Sequence, residues 1–93
     1  DKFLSREEKT FPLLAKKNVE AMLVVWTAKE AMFKLMDKQG IDFAEHLHVE
    51  PFELADEGCF KAYETFTDEQ FSFECDYQIY PEFVLTLAQK LIL

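Results

Sequence analysis

Phe71-Ser72-Phe73-Glu74-Cys75-Asp76-Tyr77-Gln78-Ile79-Tyr80 is the stretch that decides the fold. Phe71, Phe73, Cys75, Tyr77 and Ile79 alternate with Ser72, Glu74, Asp76, Gln78 and Tyr80. A strand turns successive side chains to opposite faces, so this segment has one apolar and one largely polar side. Working backward, Cys59 to Phe66 predicts a preceding strand, and Thr67-Asp68-Glu69-Gln70 is a polar hairpin link. Forward, Pro81-Glu82 separates it from a last strand at about Phe83 to Ala88. His46 to Phe52 is expected as an edge strand.

The first half reads as helix. Ser5 followed by Glu8 is a capping box, in which each side chain satisfies an exposed amide at a helix start. Pro12 should break or kink that helix, because proline has no amide hydrogen and clashes with the preceding turn. Asn18 is placed to cap a second helix running to about Lys38, with Gly40 ending it. Asp42 can cap a short turn through Phe43, Ala44 and Glu45. Two N-terminal helices followed by an antiparallel β-meander make an α+β fold.

A chain of 93 residues is one small domain. Its 49% hydrophobic and 15% aromatic content supports a packed core and argues against disorder. The surplus over a lone core predicts apolar surface buried against another domain or subunit. No leader pattern and no apolar run of membrane-spanning length is present, so the expectation is a cytoplasmic protein without a membrane partner. Cys59 and Cys75 make no disulfide framework and are expected to be reduced and packed in strands. A net charge of -8 speaks against nucleic acid as a partner. The charge is uneven. Residues 1–34 carry seven bases and five acids, net +2, whereas 35–93 carry three bases and thirteen acids, net -10. The first third is the natural side for an anionic ligand.

The second helix has two apolar faces. At 100° per residue, Ala21, Val24, Val25, Ala28, Ala31, Met32, Leu35 and Met36 form the expected core contact. On the far side gather Val19, Met22, Leu23, Trp26 and Phe33, with Glu30 in their midst and Lys29 and Lys34 on the flanks. A carboxylate among large apolar residues needs a cation, either a metal ion or a basic side chain. Glu30 and Lys34 also have the spacing of a plain helical ion pair, worth about 0.2–0.5 kcal/mol.

The string Trp26-Thr27-Ala28-Lys29-Glu30-Ala31-Met32-Phe33-Lys34 resembles the signature of the 4'-phosphopantetheinyl transferase superfamily. That signature is an aromatic, a small Ser/Thr/Cys, any residue, Lys-Glu, a small residue, two of any kind, and Lys. Phe3-Leu4-Ser5-Arg6-Glu7-Glu8 is similar to the family's upstream Phe-Phe/Leu-Ser-x-x-Glu stretch. The resemblance covers residues 2–38 well and the remainder loosely. It implies that these 93 residues are the C-terminal half of a longer transferase. Glu30 matches the magnesium ligand, and Lys29 and Lys34 match lysines near the coenzyme A phosphates. Glu8 matches an acid proposed as metal ligand or base, and Lys29 is also given a part in proton transfer. The implied reaction moves phosphopantetheine from coenzyme A to a serine of an acyl or peptidyl carrier protein, as fatty acid, polyketide or peptide synthesis requires.

The family's Gly-x-Asp stretch, which holds a further metal ligand, is absent, and Asp1 lacks that context. The expectation is therefore a chain that cannot complete the reaction without a missing N-terminal half or a neighbouring subunit. Two other readings stay open: an acidic protein-interaction module, and a degenerate transferase half with a structural role. His46, His48 and Glu50 alternate and could share a strand face as metal ligands, although solvent-facing histidines are the preferred reading. With only Gly40 and Gly58, the chain has no glycine-rich nucleotide loop.

Overall fold

The computed structural model describes residues 2–92, so Asp1 lies outside the described residues. The capping box forms as expected. The Ser5 amide donates to Glu8 Oε1 at 2.8 Å, and the Glu8 amide donates to Ser5 Oγ at 3.1 Å. The helix it starts is only a 3-10 turn, Glu8–Thr10, because Pro12 breaks it and begins a second short helix, α1, Pro12–Ala15. Lys17 adopts a left-handed φ of 57° and closes α1, with its amide on the Leu14 carbonyl and that of Asn18 on Leu13.

The long helix α2 is Val19–Met36, and Asn18 Oδ1 caps it by accepting from the Ala21 amide at 2.9 Å. It ends earlier than the glycine suggested. Asp37 takes the left-handed conformation, φ 51°, and returns its amide to the Phe33 carbonyl. An Asp tolerates that region better than most residues, so Gly40 lies beyond the helix in the following bend. Asp42 caps the one-turn helix α3, Phe43–His46, by accepting from the Ala44 and Glu45 amides.

Four strands follow: β1 Leu47–Val49, β2 Glu57–Glu64, β3 Ser72–Ile79 and β4 Val84–Lys90. They pair antiparallel in the order β1-β2-β3-β4, the expected meander. The edge strand β1 is shorter than the predicted 46–52, since His46 belongs to α3 and Pro51 has no amide hydrogen to donate. Phe73, Cys75 and Tyr77 of β3 all face inward and are buried beside Phe60, Ala62, Leu47 and Val49. Ala21, Val24, Val25, Ala28 and Met32 of α2 close the other side of this core. Leu35, expected there, is instead 50% exposed and lines a cavity with Phe71, Phe73 and Lys90 of the sheet end. The radius of gyration, 12.4 Å, is that of a compact domain of this length. No helix among the described residues is long and apolar enough to cross a membrane.

Gly58 is required where it stands. A Cβ there would lie 2.9 Å from the hydroxyl of Tyr77, its cross-strand neighbour. That hydroxyl donates to the Glu53 carbonyl and accepts from the Ala55 amide, so it fixes the loop ahead of β2.

The two cysteines part company. Cys75 is buried, and burial, with Asp76 and Glu74 nearby, pushes its thiol up to about 12. Cys59 is exposed on the outer face of β2, contrary to the packed position expected. A thiol reagent should therefore label the native chain once, at Cys59, and reach Cys75 only on unfolding. Quantifying labels by intact mass with and without denaturant checks this; two fast labels on the native fold would contradict the burial of Cys75.

Candidate active site

The most concentrated electrostatic feature joins the capping box to α2. Glu8 and Lys29 are 1% and 0% exposed, and they form an ion pair at 2.7 Å. Lys29 Nζ also donates to the Phe3 carbonyl at 2.6 Å and the Phe43 carbonyl at 3.0 Å. An ammonium has three hydrogens, so all of them are used. Glu8 Oε1 accepts from Lys29 and from the Ser5 amide, and Oε2 accepts from the Val49 amide at 2.8 Å. One ion pair thus ties the N-terminal turn, α2, the start of α3 and β1. Burial pulls the Lys29 ammonium below its ordinary value, while Glu8 and then Asp42 pull it partly back.

The far face of α2 is covered in part by the chain itself. Trp26 packs against Phe3 at 5.4 Å and Phe43 at 5.3 Å between ring centres, and Phe33 packs against Phe43 at 5.6 Å. The backbones of the two covering residues, Phe3 and Phe43, are those held by Lys29. What stays open is Val19, 69% exposed, together with the outer edges of Leu23, Trp26 and Phe33.

Of the four residues singled out from sequence, the fold brings Glu8 and Lys29 together and keeps Glu30 and Lys34 separate from them. Glu30 is half-buried and makes no hydrogen bond or ion pair among the described residues. Lys34 is exposed, and the helical ion pair between the two does not form. Lys34 instead lines a cavity of about 370 Å³ with Phe33, Asp37 and Lys38, where α2 ends. Lys29, expected on a flank of the far face, has turned inward and has no N–H left for a phosphate. Glu8 is equally enclosed.

The histidines do not line up. His46 ends α3, where Nδ1 accepts from the Asp42 amide at 2.8 Å, and its ring meets Phe66 edge-on. His48 stacks on Tyr63 at 4.9 Å. Both are half-buried, with their ring hydrogen bonds at the exposed surface. No group of three His, Cys, Asp or Glu among the described residues is placed to hold a metal ion.

A second buried carboxylate was not flagged from sequence. Glu64 is 0% exposed and accepts from the Thr67 amide at 2.7 Å, the Thr67 hydroxyl and the Phe71 amide at 2.9 Å. The available signal was the stripe Phe60, Ala62, Glu64, which sets an acid at an inward position just before a polar turn.

Neither the protein-family models, nor the curated proteins, nor the solved structures contain a match to this chain.

Proposed function

We propose that this chain supplies the coenzyme-binding part of a magnesium-dependent 4'-phosphopantetheinyl transferase, with coenzyme A and an acyl or peptidyl carrier protein as substrates. The reading rests on the signature around Lys29-Glu30 and on one observation: among the described residues Glu30 is a carboxylate without a partner on α2, one turn before a lysine that is likewise without one. Magnesium is commonly bound by one or two carboxylates with substrate phosphates and water filling the other positions. A single carboxylate at Glu30 fits that donor set, and further ligands come from outside these residues. When bound, the ion offsets the charge of the coenzyme A diphosphate.

The chain's own residues divide into two roles. Glu30 holds the metal, and Lys34 donates to phosphate oxygens. Glu8 and Lys29 are positioning residues, because their contacts fix α2 and the two phenylalanines that pack on Trp26, one turn before Glu30. In the transfer, the carrier's serine oxygen bonds to the β-phosphorus, the bond to 3',5'-ADP breaks, and the serine proton passes to a base. Catalysis of this kind is chiefly placement and electrostatics.

The test uses the protein that carries this chain, mixed with an apo carrier protein, coenzyme A and magnesium. The intact mass of the carrier is followed. A phosphopantetheine-sized gain is expected, with Glu30→Gln slowing it by about a hundredfold or more. Absence of any gain with several carriers, or a Glu30→Gln variant as fast as the parent, would sink the proposal and favour a protein-binding face on α2.

A further inference from the structure

We infer that the end of the sheet around Phe71 binds a small amphiphilic anion, with a carboxylate or phosphate head and an apolar tail. The inference is independent of the transferase reading. Residues 35–93 hold only three basic side chains, Lys38, Lys61 and Lys90, against thirteen acids. The fold gathers all three around one ring. Lys61 and Lys90 line a cavity of about 640 Å³ with Phe71, Leu91 and Ile92, and Lys38 and Lys90 line an adjoining one of about 290 Å³ that shares Phe71. Lys90 Nζ stands 3.7 Å above the centre of the Phe71 ring.

None of the three lysines has a carboxylate within 4.0 Å among the described residues. A ring face holds an ammonium by its quadrupole without taking its hydrogens. Lys90 thus sits over the ring with its N–H groups free to donate among the described residues. Concave, low-dielectric walls strengthen the field of such cations at the cavity. The larger cavity has the size of small-molecule sites, which are largely apolar with a few placed polar groups. Lys61 and Lys90 suit an anionic head, and Leu91 and Ile92 suit an apolar tail. Glu69 lines both cavities and opposes an anion, so it weakens the site without closing it.

The experiment titrates octanoate, octyl phosphate, octanol and acetate into the ¹⁵N-labelled chain and follows amide shifts. Saturable shifts at Phe71, Ser72 and Lys90 to Ile92 are expected with octanoate or octyl phosphate, and the tighter of the two identifies the head group. Lys90→Met should weaken that binding about tenfold, one charged contact being worth about that factor. Glu69→Gln should tighten it. Should Lys90→Met disturb amides beyond this end of the sheet, Lys61→Met, exposed on the outer face, reads the same loss. The inference is overturned if octanol binds as tightly as octanoate, if acetate does so, if neither lysine variant alters binding, or if no anion saturates.

Discussion

Lys29→Met should cost about 3–5 kcal/mol of stability, the usual penalty for leaving one member of a buried ion pair without the other. Small domains have about 5–15 kcal/mol in total, so the variant should unfold at a much lower urea midpoint or not fold at all. The penalty has three parts. Glu8 keeps a buried charge with no cation. The carbonyls of Phe3 and Phe43 lose their donor. The tie between four chain segments is cut. Glu8→Gln should be damaging by the same logic, because Lys29 then keeps its charge among neutral acceptors. The double variant Glu8→Gln with Lys29→Met should recover part of the loss, since no unpaired charge remains. Urea melts of all four proteins give the coupling energy directly. If Lys29→Met stays within about 0.5 kcal/mol of the parent, the size of an ordinary surface change, the buried pair does not hold this fold together.

Glu64→Gln should destabilise by about 2–3 kcal/mol, because hydrogen bonds to a charged acceptor are the strong kind. The amide that replaces the carboxylate presents hydrogens to a site built of donors. Its signature is in the pH dependence. Burial alone would raise the Glu64 carboxyl, but the Thr67 hydroxyl and the Thr67, Phe71 and Phe66 amides outweigh it and leave the group below its ordinary 4.5. The folded state therefore favours the ionised form. That contribution is complete above the unfolded value and is lost as pH falls through the folded one. The gap in stability between parent and Glu64→Gln should be full at neutral pH and shrink steadily below pH 4.5. A gap independent of pH would mean that shape, not charge, holds the β2–β3 turn.

The strands were legible because the pattern Phe73, Cys75, Tyr77 is periodic over its whole length, and one inward face left no other register. Caps at Ser5, Asn18 and Asp42 were legible because the donors they satisfy lie within three residues. Long-range pairing was not. At 100° per residue Lys29 falls on the border between the two faces of α2, and only the arrival of Glu8, 21 residues earlier in the chain, decides that it turns inward. Glu8 itself looked complete as a local cap, so nothing in its spacing announced a second partner. The end of α2 went to Asp37 rather than Gly40 because an Asp can also take the left-handed conformation, which the glycine rule alone does not anticipate. Glu30 is the converse case. Its apolar neighbours on the helix were visible in the helical wheel, and the fold leaves it half-buried without giving its carboxylate a partner among the described residues.

The ring cluster on α2 also gives the molecule an optical reporter. Trp26 is the sole indole, so all tryptophan emission comes from one place. Its neighbours Phe3 and Phe43 belong to the two segments that fold back over the helix. Trp26 is already 38% exposed, so moving either ring changes the packing of the indole rather than its first contact with water, and its emission follows that change. Because the Phe3 and Phe43 backbones are held by the same Lys29 that pairs with Glu8, fluorescence at Trp26 and far-ultraviolet dichroism should melt together, and a fluorescence change that came first would mean that the N-terminal turn and α3 open ahead of the rest.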